Sequence, residues 1–206
     1  MSLNSSPLFD VRDLACERED ARLFQHLSFQ LTGGELLQIA GPNGVGKTSL
    51  LRLLCGLSHP AAGAIHWSGQ SLHSSDYLQQ MVYLGHQNGL KPALNALENL
   101  RWWLRLRGDN PHDDALFAVL ARVGLCGYER LPCYSLSAGQ QRRVALARLL
   151  IAKARLWILD EPFNALDVAA TQELIGWLRE FVAGGGAVIY TSHVQLPDLA
   201  TRVLDL

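Results

Sequence analysis

The fold of this chain is decided by the stretch Gly41-Pro42-Asn43-Gly44-Val45-Gly46-Lys47-Thr48, which Ser49 follows directly. It matches the pattern GxxxxGK[ST], in which glycines let successive backbone N–H groups point at one anion. An apolar run, residues 36–40, precedes the stretch, and residues 47–55 continue with the apolar spacing of a helix. The order strand, glycine loop, helix is typical of a phosphate-binding unit. We therefore expect residues 41–49 to bind phosphate groups.

The last two residues of this loop predict what it binds. Lys47 is expected to reach the β- and γ-phosphates of a nucleotide, and Thr48 to place its hydroxyl on Mg²⁺. The cofactors predicted from the loop are therefore ATP and Mg²⁺.

An acidic pair follows a second apolar run. Residues 156–159 are Leu-Trp-Ile-Leu, and Asp160 and Glu161 come directly after them. A buried parallel strand delivers such residues to the carboxyl edge of the sheet, where ligands bind in α/β folds. We expect Asp160 to hold Mg²⁺, directly or through water, and Glu161 to act as general base toward the attacking water. The alternative is a solvated acidic pair at the end of a core strand.

A second candidate anion site lies at Leu136-Ser137-Ala138-Gly139-Gln140, before the basic and apolar helix of residues 141–148. A serine hydroxyl and free amides at the start of a helix can bind an anion, so Ser137, Gly139 and Gln140 are candidate nucleotide contacts. One ATP does not need two such cradles in one monomer. A head-to-tail dimer, in which each chain completes the other's nucleotide site, would use both.

The composition limits the alternatives. The chain has 206 residues, of which 49% are hydrophobic and 18% charged, and its net charge is −1. This balance suits one globular domain and disfavours a nucleic-acid partner bound through a broad basic face. The most apolar stretch, residues 144–159, is interrupted by Arg148, Lys153 and Arg155, so it is not expected to cross a bilayer. If the protein works at a membrane, another chain must supply the crossing.

The periodicity predicts a mixed domain. Short strands are expected at residues 8–14, 23–31 and 63–67, and buried parallel strands at 156–159 and 187–190. Residues 91–153 change character and predict a helical insertion, with helices at 95–107, 113–123 and from 137 through 148. A further helix is expected over 168–182. We treat residues 1–206 as a single domain with this inserted helical segment.

With these motifs in place, the chain resembles the ATP-binding subunits of ABC transporters. Six elements appear in that family's order, and they are the phosphate loop 41–48, Gln87, the signature 136–140, the acidic motif 156–161, the loop 164–167 and His193. The resemblance implies an α/β fold of ABC ATPase type. That fold has a P-loop NTPase (RecA-like) core, an N-terminal antiparallel β subdomain and an inserted α-helical subdomain.

The resemblance also implies roles for individual residues. Lys47, Glu161 and His193 would be catalytic, and Gln87 would sense the γ-phosphate and belong to the Mg²⁺ site with Thr48 and Asp160. The second copy's Ser137 and Gly139 would close over the γ-phosphate.

Two positions depart from the family pattern. Ala138 stands where glycine is usual, which would cost about 1–2 kcal/mol only if that residue has positive φ. No aromatic residue occurs in residues 16–20, upstream of the phosphate loop, where the family commonly stacks one on adenine. Arg18 is the first candidate for that contact, with Phe24 as the second and a solvated charge as the alternative for Arg18.

A finer resemblance narrows the family. The stretches 23–29, 84–87, 136–148 and 156–163 are similar to the ATP-binding subunits of the haem exporters of bacterial cytochrome c maturation. This implies a peripheral ATPase on the cytoplasmic face of the inner membrane, with integral membrane transporter subunits as partners and haem reached indirectly through the complex. Another ABC transporter with a different cargo, or a mechanical ABC ATPase that moves no cargo, stays open as an alternative.

Overall fold

The computed structural model describes residues 7–18, 21–72, 74–193, 196 and 200–206. Within these residues the chain forms one antiparallel and one parallel sheet, with helices on the parallel sheet. The α/β architecture expected from the sequence is confirmed. In the same part of the chain, no helix is long and apolar enough to cross a membrane.

The parallel sheet has the order β6-β7-β8-β3-β9. Its strands, in chain order, are β3 (Leu36–Ala40), β6 (Met81–Leu84), β7 (Leu156–Asp160), β8 (Ala187–Thr191) and β9 (Thr201–Asp205). All four pairings are parallel, so the carboxyl ends of the strands lie at one edge. That edge is where the phosphate loop and the acidic pair meet.

Both faces of this sheet are covered, because neighbouring residues of a strand point to opposite sides. In β7, Leu156 and Ile158 belong to the apolar core beneath the antiparallel sheet. Trp157 and Leu159 belong to the core on the helical side. All five residues of β7 and of β8 are buried. This explains why the two strands are continuous apolar runs rather than alternating ones.

The antiparallel sheet has the order β2-β1-β4-β5. Its strands are β1 (Phe9–Arg18), β2 (Ala21–Leu31), β4 (Ala62–Trp67) and β5 (Gln70–Ser71). It shares a core with the helix after the phosphate loop, α1 (Lys47–Leu54). The end of β1 and the start of β2 therefore lie beside that loop.

The remaining helices include the insertion predicted from residues 91–153. They are α2 (Ser75–Gln80), α3 (Ala96–Leu106), α4 (Asp113–Arg122), α5 (Ala138–Ile151) and α6 (Val168–Ala183). The predicted helices agree with α3, α4, α5 and α6 to within a few residues. A 3₁₀ turn, Cys133–Ser135, leads into α5.

One glycine allows two neighbouring strands of the antiparallel sheet, β1 and β4, to approach closely. Gly63 in β4 has a φ of +87°, and a Cβ there would lie 2.4 Å from the carbonyl oxygen of Asp13 and 2.5 Å from that of Arg12. The β1–β4 register shifts between Arg12 and Ala15, so the two backbones approach closely at an irregularity in β1. Only a residue without a side chain fits this approach.

We therefore expect Gly63→Ala to lower the free energy of unfolding by roughly 3 kcal/mol, the sum of a left-handed backbone cost and overpacking. Urea denaturation of the purified chain measures this difference. Gly69→Ala is the matched control, because Gly69 also has positive φ, at +79°, but its Cβ would meet nothing within 4 Å. That control should lose only about 1 kcal/mol. Equal losses in the two variants would contradict the close-approach argument.

Candidate active site

The phosphate loop leaves β3 and curls into the start of α1. Gly41, Gly44 and Gly46 have φ values of +134°, +83° and +114°, so the curl uses conformations that L side chains rarely adopt. Gly46 is the N-cap of α1, and a Cβ there would lie 3.1 Å from the Cβ of Leu23. Glycine is therefore required for steric reasons at both ends of the loop, Gly41 and Gly46, where the backbone has positive φ.

A cavity of about 400 Å³ opens above this loop at the carboxyl edge of the parallel sheet. The residues lining it come from the loop, the antiparallel sheet and the ends of the strands, and they are Arg18, Leu23, Asn43, Gly44, Gly46, Lys47, Thr48, Ser49, His86, Asp160, Glu161, Asn164 and His193. The phosphate loop and the acidic pair, far apart in sequence, therefore share one cavity.

Hydroxyl groups fix the carboxylate of Asp160. Thr48 Oγ1 donates to Asp160 Oδ2 at 2.9 Å, and Thr191 Oγ1 donates to Asp160 Oδ1 at 2.8 Å. Asp160 is only 3% exposed, so its carboxylate is held by these two partners. The backbone N–H of Glu161 donates to the same Thr191 oxygen at 2.9 Å. Thr191 thus connects the two acidic residues.

These donors fit a magnesium ion. Mg²⁺ prefers oxygen ligands and is usually bound through one or two carboxylates, together with substrate phosphates and water. The hydroxyl of Thr48 and the carboxylate of Asp160 are such oxygens, and they lie within hydrogen-bonding distance beside the phosphate loop. The described residues hold no cluster of three or more His, Cys, Asp or Glu side chains that could bind a metal by itself.

Glu161 has an unusual backbone. Its φ is +47°, a left-handed conformation that is uncommon for a residue with a side chain. Its side chain is 17% exposed, and Oε1 lies 3.6 Å from Nε2 of His193, whose side chain is 69% exposed. Such strain at the end of a buried strand is often found where a side chain must be aimed at a reacting group.

Lys47 lies over the loop that precedes it. Its ammonium group donates to the carbonyl oxygens of Gly41 at 2.7 Å and of Pro42 at 3.0 Å. The charge is therefore held at the mouth of the loop, where phosphate oxygens would bind.

The two candidates for adenine occupy different positions. Arg18, at the end of β1, lines the cavity together with Leu23. Phe24 packs behind the loop, since a ring carbon lies 3.2 Å from where a Cβ of Gly46 would be. Of the two candidates, Arg18 lines the cavity and Phe24 does not.

Gln87 lies in a second cavity next to the first. This cavity shares Thr48, His86 and Asp160 with the first cavity and continues along the loop that follows β6. His86 lines both cavities, whereas Gln87 lines the second and not the first.

The signature residues lie outside both cavities. Ser137 is the N-cap of α5, and its Oγ accepts from the N–H of Gln140 at 3.2 Å, while the Gln140 side chain accepts from the N–H of Ser137 at 2.9 Å. A Cβ on Gly139 would lie 3.1 Å from the carbonyl oxygen of Ala165. Ala138 is the first helical residue and has no positive φ, so alanine in place of glycine costs the backbone nothing.

Sequence reasoning missed several residues of the site. Leu23 and His86 line the cavity, and Thr191 joins the acidic pair, yet none of them is a candidate from the sequence. Asn164, which also lines the cavity, begins the predicted loop 164–167. Thr191 had one signal, because it is a polar residue directly after the apolar run 187–190. A hydroxyl that is fully buried must find a hydrogen-bond partner, and Asp160 is that partner.

Comparison with known proteins agrees with this geometry. The sequence profile described as ABC transporter matches residues 24–164, which is more than half of the chain. The fold and the cavity define an ATP-binding domain, and the chain belongs to the ABC transporter family.

Individual relatives narrow this family. The chain is 50% identical over 200 residues to the cytochrome c biogenesis ATP-binding export protein CcmA of Nitrosomonas europaea, an alignment that covers 95% of this chain and 94% of that protein. It is 49% identical over 198 residues to the protein of the same name from Escherichia coli K12, with the same coverage. At this identity the chain is a member of the group of cytochrome c biogenesis ATP-binding export proteins.

Solved structures support the fold. An ATP-binding subunit of an ABC transporter superposes with a TM-score of 0.82 at 26% identity, covering 91% of this chain and 80% of that one. A dimeric ATP-binding cassette in a post-hydrolysis state, bound to ADP and Pi, superposes with a TM-score of 0.80 at 22% identity, covering 90% of this chain and 88% of that one.

Proposed function

We propose that the whole chain, as a single ATP-binding domain, hydrolyses ATP on the cytoplasmic face of the bacterial inner membrane and so drives haem handling for c-type cytochromes. The observation that carries the proposal is the position of Glu161, whose carboxylate opens on the same cavity as the phosphate loop and lies 3.6 Å from His193. The names of the relatives, which are export proteins of cytochrome c biogenesis, support the cellular role.

Each residue of the site has a distinct role in binding ATP or in its hydrolysis. Backbone N–H groups of residues 41–49 and the N-terminus of α1 bind the phosphate oxygens, and Lys47 neutralises the β- and γ-phosphates. Glu161 accepts a proton from the attacking water, and His193 orients the γ-phosphate. Thr48, Asp160 and Gln87 are the residues that would hold Mg²⁺, which when bound neutralises charge on phosphate oxygens. Arg18 covers the adenine through its guanidinium plane.

A second copy of the chain completes the site. Ser137, Gly139 and Gln140 lie outside the cavity of their own chain. The N–H groups of Ser137 and Gln140 are used in the capping box, so the hydroxyl proton of Ser137, the N–H of Gly139 and the side-chain amide of Gln140 are the donors for a γ-phosphate bound by a partner copy. The dimeric cassette of similar fold supports such a pair. The dimer opens after hydrolysis. Gln87 and residues 88–90 contact the integral membrane subunits, so closure of the dimer moves those subunits.

The chain does not bind haem itself and acts on haem only through the complex with the membrane subunits. Nucleic acid is not a partner.

A chromosomal Lys47→Ala variant tests the cellular role. Loss of the lysine charge weakens nucleotide binding and hydrolysis, so covalently bound haem should disappear from periplasmic and membrane proteins while haem b proteins persist. Haem staining of gels, beside an immunoblot for the chain, measures both. Lys153→Ala is the matched control, because Lys153 is exposed and does not line the cavity.

Unchanged c-type bands in a stably expressed Lys47→Ala strain would contradict the role in cytochrome assembly. The ATPase proposal would then rest on turnover by the purified chain, and another cargo would take the place of haem.

A further inference from the structure

Two arginines of α5 are buried in the middle of the molecule. Arg142 is 3% and Arg148 is 5% exposed. Burial lowers the pKa of both guanidinium groups to about 10, so both remain charged at neutral pH. Burying a charge is costly unless hydrogen bonds compensate for the lost water. The partners of these two arginines therefore indicate why they are present.

Arg142 reaches both sides of the site. Its guanidinium donates to five acceptors on two segments, namely the carbonyl oxygens of Gly85 at 3.2 Å, Asp160 at 3.4 Å, Glu161 at 2.9 Å and Pro162 at 3.3 Å, and Asn88 Oδ1 at 3.1 Å. One segment is the loop that contains Gln87, between Gly85 and Asn88, and the other is the end of the acidic motif with Pro162. The planar five-donor group of arginine suits such a set of diverging acceptors, and the single ammonium of lysine does not.

The bond to Glu161 fixes a strained residue. Glu161 has a φ of +47°, its N–H donates to Thr191 Oγ1, and its carbonyl accepts from Arg142. The peptide groups on both sides of its Cα are therefore tied down. A backbone held in this way keeps the carboxylate in one direction, whereas a relaxed backbone would turn it elsewhere.

The helix that carries Arg142 also carries the signature. Ser137 caps α5, and Arg142 lies five residues later, about 7 Å along the helix axis. A helix of this length is rigid, so a movement of its start is also a movement of Arg142. Under the proposed function, the start of α5 contacts the nucleotide of the partner copy, while Arg142 holds the general base of its own copy.

We propose that Arg142 is a positioning residue that couples the two ATP sites of the dimer. Arg142 is already bonded to the carbonyl of Glu161 in the single chain. When Ser137 and Gly139 close on the partner's γ-phosphate, the movement of α5 therefore shifts Arg142 and Glu161 together in their own site. This inference rests on the proposed function. It adds the structural connection between the two ATP sites, which runs from Ser137 along α5 through Arg142 to Glu161.

An arginine of α4 supplies the control. Arg122 pairs with Glu180 at the surface and lines neither cavity. The other two arginines of α5 do not serve, because Arg148 donates to the carbonyl oxygens of Asn88 and Gly89 beside Gln87, and Arg143 pairs with Asp167 of the loop 164–167. Removal of Arg122 takes away one guanidinium without touching Glu161 or that loop.

The test compares Arg142→Ala, Arg142→Lys and the control Arg122→Ala with the parent as purified full chains. For both Arg142 variants we expect kcat to fall roughly 100-fold, the cost of a misplaced catalytic group. The KM and the affinity for a fluorescent ATP analogue should stay within about threefold of the parent, because the phosphate loop is untouched. The Hill coefficient for ATP, above one in the parent, should fall to one. Arg122→Ala should keep the parent's kcat and Hill coefficient.

Each outcome decides between the alternatives. If Arg142→Ala does not fold, Arg142→Lys carries the test, because it keeps the charge and the stem. A parallel fall in kcat and ATP affinity would assign Arg142 a merely structural role and overturn the inference. The inference would also be overturned if Arg142→Lys had the same kcat as the parent. It would be overturned again if the parent itself had a Hill coefficient of one. A parent with no ATPase activity above Glu161→Gln would instead contradict the proposed function, and this inference with it.

Discussion

The Glu161→Gln chain is expected to bind ATP as the parent does and to hydrolyse it roughly 1,000-fold more slowly, because a glutamine amide cannot accept the proton of the attacking water. The backbone contacts of residue 161 with Thr191 and Arg142 do not involve the side chain, so the substitution leaves them intact. Phosphate release from the purified chain measures the rate, and a fluorescent ATP analogue measures binding. Since the product is not formed, ATP should also accumulate a closed dimer that size-exclusion chromatography separates from the monomer.

Glu180→Gln is the control for this substitution. Glu180 is an exposed glutamate of α6 that pairs with Arg122 at the surface, where such pairs contribute little. Its rate should equal that of the parent. Normal turnover by Glu161→Gln would remove Glu161 from the role of general base.

Mixing two inactive chains is expected to restore activity. Lys47→Ala disables the phosphate loop, and Ser137→Glu places a negative charge where the partner's γ-phosphate would bind, so each chain alone should lose about 100-fold or more. In a head-to-tail dimer of the two, one site carries both defects and the other carries neither. Random mixing should therefore recover about one quarter of the intact sites.

The control mixture contains the Lys47→Ala chain and a chain with both substitutions. Every dimer in that mixture lacks an intact site, so no activity should return. ATPase rates at several mixing ratios measure the effect. If the first mixture stays inactive although both chains fold and form dimers, each chain completes its own site and the head-to-tail arrangement is wrong.

Local signals in the sequence predicted most of the fold. The runs 156–159 and 187–190 are apolar at every position because both faces of the parallel sheet are covered, and they became β7 and β8. Ser137 and Gln140 have the spacing of a capping box, and they begin α5. Strands β6 and β9 were not predicted. β6 has only four residues, and β9 is an edge strand with two exposed positions among its central three.

Site residues could be predicted from the sequence only where they belong to a motif whose residue types and spacing indicate a chemical role. Lys47, Thr48 and Asp160 follow from residue type and spacing, and the structure brings them to one cavity. Thr191 and Arg142 act through contacts with the backbone of Glu161, and such contacts depend on how distant segments pack. No spacing rule for a single sequence encodes them.

The strand order determines when the parallel sheet can form during synthesis of the chain. β3, which leads into the phosphate loop, pairs with β8 and β9, although both come from the opposite end of the chain. Pairings over such a separation form slowly, and a nascent chain cannot make them until β8 and β9 have left the ribosome. The glycine loop is therefore translated well before the two strands that flank β3 in the sheet. During that interval the apolar β3 needs protection from aggregation, so the yield of active protein should depend on chaperones more than its modest size suggests.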